Sequence, residues 1–214
     1  MTLDEARTAL AGHELDVVAV EALDAGSVNS NFLIRTRSGE RFFVRVYEEQ
    51  DFDGAATELA TIRALAAFGV PTPVPRARRD GGDVGEHAGK PVGVHPWVDG
   101  EILCFGRITP DAARAVGQAL GRVHRATPAL GRIAAGRFGL DGLYERLDRV
   151  DRTDERYAAD TRRIRERIAY HAARCPSPLP SGLIHGDLFR DNVLWRATPG
   201  GGHTLLALLD FESA

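Results

Sequence analysis

The segment His185-Gly186-Asp187-Leu188-Phe189-Arg190-Asp191-Asn192 sets an aspartate two residues after a histidine and an asparagine five residues after that aspartate. Eighteen residues beyond Asn192 comes Asp210-Phe211-Glu212. Groups so spaced can transfer a phosphoryl unit. Asp187 would accept the proton of an attacking hydroxyl. The Asn192 amide oxygen and the Asp210 carboxylate are hard donors suited to magnesium on the phosphates of ATP. Phosphoryl transfer needs little covalent help, so the main work of Asp187 would be positioning. A plain loop turn with an Asx cap, or an aspartate that merely ends a strand, explains either piece alone. Both pieces together, in this order and each preceded by a hydrophobic strand, favour the chemical reading.

Such residues need elements to hold them. Thr2-Leu3-Asp4-Glu5 reads as a capping box opening a short helix through about Leu10. Residues 17–23, 32–36 and 41–47 predict three strands in an antiparallel meander. A small polar loop, residues 26–31, joins the first two. Small residues let its backbone approach phosphates, and Ser27, Asn29 and Ser30 could donate hydrogen bonds there. Taken alone, the loop reads slightly better as an ordinary hairpin turn. Residues 57–68 have helical periodicity, with Leu59, Ile62, Leu65 and Ala66 on one face, stopped by Gly69 and by Pro71, Pro73 and Pro75. Residues 76–90 are polar and glycine-rich, a hairpin tip, and 91–98 read as a strand running into a hinge.

After Gly100 strands give way to helices. Thr109-Pro110-Asp111 is a helix start with an N-cap, a proline at N1 and an acid in the first turn. Its predicted buried stripe is Val116, Leu120 and Val123, with His124 as a packing residue. A second long helix is predicted over 154–175, with Ile164 and Ile168 inward. Short strands at 192–195 and 205–209, separated by Pro199-Gly200-Gly201-Gly202, flank the end of the catalytic segment.

Hydrophobic content of 43% and charged content of 27% in 214 residues suit one well-buried domain or two small lobes. The formal charge of −3 gives no reason to expect nucleic acid or an anionic membrane as partner. Of the 27 basic residues only Lys90 is a lysine, a skew attributed to genome composition rather than to recognition. Cys104 and Cys175 match no metal or redox spacing and are expected to be small, partly buried side chains. The N-terminus lacks a basic region followed by an apolar run, and no apolar run approaches membrane-spanning length. A soluble, cytoplasmic protein is expected.

The order of elements, with Gly186 in place of the arginine of eukaryotic protein kinases and Asp-Phe-Glu in place of Asp-Phe-Gly, resembles the aminoglycoside phosphotransferase and choline kinase family. The likeness runs from the strand at Val17 to Glu212. It implies an α+β, two-lobed protein-kinase-like fold, with an antiparallel-sheet nucleotide lobe and hinge over 1–98 and a mainly helical lobe with the catalytic loop over 99–214. It also implies ATP and magnesium as cofactors, Asp187 as catalytic base, and Asn192 and Asp210 as metal ligands. Position in this order favours Ser27, Asn29 and Ser30 as nucleotide-binding residues. Arg45 stands where kinase-like proteins usually carry a lysine for the α- and β-phosphates; it could organise phosphates with Glu58, or the two could be exposed or pair only with each other. Lys90, in the loop before the hinge strand, cannot fill that place. His185 is expected to support the loop structurally, Asp191 to cap or brace it, and His95-Pro96-Trp97-Val98 to meet adenine through backbone groups. The family continues past this point with a helical segment that helps build the acceptor pocket, so a chain ending at Ala214 looks truncated.

Three stretches are most similar to the homoserine kinases that share this fold: Ser27-Val28-Asn29-Ser30-Asn31-Phe32, Gly69-Val70-Pro71-Thr72-Pro73-Val74-Pro75 and Asp187-Leu188-Phe189-Arg190-Asp191-Asn192-Val193-Leu194. Two positions depart: Gly186, where many of those kinases have alanine, and Glu212, where they often have an aromatic. The resemblance implies phosphorylation of a hydroxyl on a small polar metabolite, with L-homoserine the leading acceptor. An aminoglycoside, a choline-like alcohol or a sugar is the alternative, as is a degenerate kinase-like binding module without turnover. A protein substrate is disfavoured, because no long activation segment ending in Ala-Pro-Glu follows Asp210.

Overall fold

The computed structural model describes residues 1–24, 28–127, 139–175 and 181–213. Helix α1 (Leu3–Ala9) opens on the expected capping box. The Thr2 N–H donates to Glu5 Oε2 at 2.6 Å, and the Glu5 N–H donates to Thr2 Oγ1 at 3.3 Å. Strands β1 (Val17–Leu23), β2 (Ser30–Thr36) and β3 (Arg41–Val46) form the predicted antiparallel meander. Strand β5 (Lys90–Pro96) then pairs antiparallel with β3, and the short β4 (Gly85–His87) closes the edge in the order β1-β2-β3-β5-β4.

Alternation decides what each face of this sheet does. Phe42, Val44 and Val46 of β3 are buried with Val92 and Val94 of β5 against Ala6 and Leu10 at α1. The intervening residues, Phe43 and Arg45 on β3 and Gly93 and His95 on β5, therefore face the other way. Helix α2 (Phe52–Ala67) lies on that side. Gly93, which pairs with Arg45, is where the helix comes close: a Cβ there would stand 3.2 Å from Leu59 Cδ2 and 3.3 Å from the Tyr47 hydroxyl oxygen. Helix α2 begins five residues before the predicted start, because Asp51 accepts the Gly54 N–H at 2.8 Å as N-cap.

A second core joins the sheet region to the rest of the chain. Ile62, Leu65 and Val70, at the end of α2, pack with Leu103, with Val123 of α3 (Pro110–Ala126), and with Leu183, Trp195, Leu208 and Phe211. The Leu208 N–H donates to the Pro71 carbonyl at 2.7 Å across the same seam. The α3 stripe differs from the prediction: Ala112, Ala119, Val123 and Ala126 are buried, whereas Val116 and Leu120 are only half-buried and His124 is exposed. Small residues let α3 approach closely, and His124 lies about 100° round the helix from Val123.

The helix predicted over 154–175 is α5 (Ala158–Ala172), and a further helix that the prediction lacks, α4 (Leu140–Thr153), comes just before it. Asp154 separates the two, accepting the Arg156 N–H at 2.9 Å. The pair is held largely by polar contacts, with Arg165 bonded to both Asp148 and Asp151 at 2.7 Å. Ile164, expected inward, is 47% exposed, and Ile168 is half-buried, because the buried residue of α5 is Thr161, held by Asp151. Both cysteines are exposed rather than partly buried. Strands β6 (Val193–Ala197) and β7 (His203–Leu208) form a separate hairpin. Among the described residues no helix is long and apolar enough to cross a membrane.

Candidate active site

The β6–β7 hairpin brings the two motifs together. Val193 pairs with Leu208, so Asn192 just before β6 lies beside Leu209 just after β7. The Leu209 N–H donates to the Asn192 carbonyl at 2.9 Å. The Leu209 carbonyl in turn lies 2.9 Å from His185 Nε2. A carbonyl only accepts, so Nε2 carries the proton and the ring is a neutral donor. Burial holds His185 below the ordinary histidine range, and its ring packs on Phe211 at a centroid distance of 4.5 Å. His185 is thus a structural prop, as its place in the motif suggested.

Asp187 is half-buried, and the Asn192 side chain braces its loop. Asn192 Nδ2 donates to the Asp187 carbonyl oxygen at 2.8 Å and stands 3.5 Å from Asp187 Oδ2, long for a hydrogen bond. With its nitrogen so used, the amide presents its oxygen elsewhere, the atom a cation would take. Asp191, expected to brace the loop, is exposed and makes no hydrogen bond among the described residues. Asp210 follows with φ +61°, a left-handed conformation that aspartate tolerates better than most residues. Gly186, at φ +77°, lies against the far end of the same segment: a Cβ there would stand 2.5 Å from the Ser213 carbonyl oxygen.

Arg45 and Glu58 are both buried, with side chains 12% and 5% exposed, and Arg45 does not pair with Glu58 alone. Its Nη1 lies 3.1 Å from Asp210 Oδ1 and 3.6 Å from Glu58 Oε1. Gln50 donates to the other Glu58 oxygen at 2.9 Å. Burial pushes the Glu58 carboxyl up to about 7, more than Arg45 and Gln50 draw it back. Arg45 Nε and the Tyr47 hydroxyl are buried without hydrogen-bond partners among the described residues.

Of the loop residues, Ser27 lies outside the described residues, while Asn29 and Ser30 bond to protein groups. Asn29 Nδ2 donates to Glu212 Oε2 at 2.8 Å, and its Oδ1 accepts the Glu48 N–H at 3.1 Å. Ser30 donates to Glu48 Oε1 at 2.6 Å. Lys90, the first residue of β5 rather than a loop residue, pairs with the same Glu48 carboxylate. Composition hinted at neither Glu48 nor Glu212 as loop anchors; their partners are 18 and 183 residues away. At the hinge, the Trp97 N–H is taken by the Arg41 carbonyl at 3.0 Å. His95 is buried at 3.3 Å from the Pro73 carbonyl, and burial lowers it to about 4.

Asn192 and Asp210, at the two strand ends, offer oxygen donors of the kind magnesium takes, and would leave its remaining positions to phosphate and water. Among the described residues no three histidine, cysteine or carboxylate side chains gather as a self-sufficient metal cluster.

Residues 19–214 match the phosphotransferase enzyme family. The chain belongs to that family. Homoserine kinase of Agrobacterium fabrum is 32% identical over all of this chain and 65% of its own length. That of Burkholderia cenocepacia is 33% identical over 88% of the chain and 57% of its own length. The chain thus spans roughly three-fifths of the length of these relatives. Solved structures with the same fold include spectinomycin phosphotransferase in complex with ADP and spectinomycin (TM-score 0.65, 11% identity, 99% of this chain and 68% of that one). Amicoumacin kinase in complex with AMP-PNP and calcium is another (TM-score 0.67, 18% identity, 91% and 58%). The fold is therefore the α+β kinase-like one.

Two outcomes follow from this geometry. Gly186→Ala forces a side chain into left-handed backbone against a carbonyl, and should cost on the order of 1–3 kcal/mol. Urea unfolding of the two chains measures it; an unchanged midpoint would show that Ser213 can move away. The second outcome concerns pH. His95, lowered from 6.5 to about 4, contributes stability above pH 6.5 that is lost as pH falls toward 4. Glu58, raised from 4.5 to about 7, contributes stability below pH 4.5 that is lost as pH rises through 7. Each is worth roughly 3 kcal/mol by linkage, and they oppose each other. Glu58→Gln should therefore steepen the loss of stability between pH 7 and pH 5, read from unfolding midpoints. The same pH slope in both proteins would mean that Glu58 is ionised throughout.

Proposed function

We propose that this chain is the nucleotide-binding and catalytic-loop portion of an ATP- and magnesium-dependent small-molecule kinase. Residues 1–98 form its nucleotide lobe and hinge, and 99–214 the lobe carrying the catalytic loop. The observation that carries this reading is the convergence on Leu209, which ties His185 before Asp187, Asn192 before β6 and Asp210 after β7 into one hydrogen-bonded unit. A loop turn and a strand end with no shared task would have no need of that linkage.

In this reading Asp187 orients the acceptor hydroxyl and takes its proton as the oxygen attacks the terminal phosphorus of ATP. Asn192 and Asp210 hold magnesium, which when bound neutralises charge on the phosphates. Arg45, fixed by Glu58, supplies the cation that lysine gives in similar proteins, and its unpartnered Nε is a donor in reserve. Asn29 and Ser30 act by shaping the loop between β1 and β2, whose backbone covers the phosphates; Ser27 belongs to the same loop. The Val98 N–H, which has no partner among the described residues, is the hinge donor for adenine, since that of Trp97 is taken. The acceptor is a hydroxyl of a small polar metabolite, with L-homoserine first, supported by the curated relatives. The setting is cytoplasmic.

A thermal melt with and without Mg·ATP tests the nucleotide site. At about a hundred times its dissociation constant the ligand adds roughly 2.7 kcal/mol, a shift that Asp210→Ala should abolish. On a chain extended to the length of the relatives, Asp187→Asn should lower phosphoryl transfer to L-homoserine by about 10²–10⁴-fold with little change in nucleotide affinity. Transfer to an aminoglycoside or choline but not to L-homoserine would move the acceptor assignment. Absence of any Mg·ATP shift would leave a binding module and overturn the kinase reading.

A further inference from the structure

Arg45 stands nearer to Asp210 than to Glu58, 3.1 Å against 3.6 Å, although Glu58 is the more buried carboxylate. Both contacts run through one nitrogen, Nη1. Nε is buried and bonded to nothing among the described residues, so that arm of the guanidinium fork is not committed. The carboxylate it favours is the one assigned above to magnesium. A divalent cation on Asp210 would lie within a few ångströms of this guanidinium, with strong repulsion between them in a buried setting. Arginine cannot lose its proton to relieve that repulsion; it can only move. The rings of Phe43 and Tyr47 flank the guanidinium itself, with centroids 5.7 and 6.0 Å from Cζ, and take no hydrogen bond from it that a move would break.

We propose that Arg45 is an exchangeable counter-ion for Asp210. Without nucleotide it occupies the carboxylate and keeps divalent cations off. When metal arrives together with nucleotide, the guanidinium passes to the phosphate oxygens and remains tethered by Glu58. Metal and nucleotide then bind cooperatively, because the phosphates give Arg45 somewhere to go. Linkage makes the effect reciprocal: the factor by which nucleotide tightens metal is the factor by which metal tightens nucleotide. This rests on the reading of Asp210 as a metal ligand.

The test is a titration of the 214-residue chain with Mn²⁺, followed by the loss of its free-ion electron paramagnetic resonance signal, with and without ADP. Arg45→Gln removes the internal cation. The double variant Arg45→Gln/Glu58→Gln does so without leaving a buried carboxylate unpaired. Both should bind Mn²⁺ alone at least fivefold more tightly than the parent chain and bind ADP at least tenfold more weakly. A merely structural role would weaken both ligands together. Metal affinity that is unchanged or lower in both variants, or no detectable Mn²⁺ binding by any of the three chains without ADP, overturns the proposal. Asp210→Asn separates the two levels. If it abolishes Mn²⁺ binding in the presence of ADP while Arg45→Gln fails to tighten it in ADP's absence, the exchange fails and the metal site stands. If Asp210→Asn leaves Mn²⁺ binding intact, the metal assignment fails and the exchange with it.

Discussion

The peptide group of Leu209 is the point on which the site turns. Its N–H is held by the Asn192 carbonyl and its carbonyl by His185 Nε2, each at 2.9 Å. A single residue thus fixes the entry of the catalytic loop, its exit and the start of the acidic segment. Hydrogen bonds of this kind contribute only about 1 kcal/mol each to net stability. Their value here is positional, since the three candidate side chains hang from one rigid crossing. The hairpin supplies that crossing cheaply, because β6 and β7 are adjacent in sequence and close a short loop.

Electrostatics then links this crossing to the five-stranded sheet. Arg45 of β3 reaches Asp210, and Asn29 before β2 reaches Glu212, so both acids of the Asp-Phe-Glu segment are held by side chains from the sheet region. Neither tie resembles a surface ion pair of negligible worth, since Arg45 is buried and Asn29 uses both ends of its amide. Glu58 is the costly member. Its burial raises its pKa, and the compensating partners are one shared cation and the Gln50 amide. Glu58 and Asp210 thus share one guanidinium rather than each having a cation of its own.

Much of this was legible in the sequence where period or local chemistry decides it. The capping box at Thr2, the meander, the stop at Gly69 and the start at Thr109 are local signals, and each stands as read. The spacing from His185 to Asp210 located the candidate site for the same reason. Errors arose where tertiary partners decide. Ile164 was read as inward from helical period alone, but α5 turns Thr161 to its partner and leaves Ile164 in water. The α3 stripe was read from its largest apolar residues, whereas close packing selected its alanines. Helix α4 goes unread because little local marks it: its N-cap is Gly139, with no side-chain cap, and Leu147 is its one buried residue among those described. The roles of Glu48 and Glu212 could not be read at all, since nothing local marks which distant amide or hydroxyl a carboxylate will meet.

Gly186 and Glu212, the two positions at which the chain departs from the homoserine kinases it resembles, lie at neighbouring points of the fold. Gly186 takes a left-handed conformation and leaves no side chain, so the Ser213 backbone can lie where an alanine Cβ would stand. Glu212, one residue before Ser213, reaches the β1–β2 loop. There Asn29 meets it with its Nδ2. An aromatic side chain at 212 could not accept that bond, and a Cβ at 186 would crowd Ser213, the next residue along. Read singly, the glycine and the glutamate depart from the homoserine kinases and return the sequence toward the broader family. In the fold Gly186 lies against Ser213, the neighbour of Glu212, and the Asn29 bond couples the β1–β2 loop to the segment carrying Asp210.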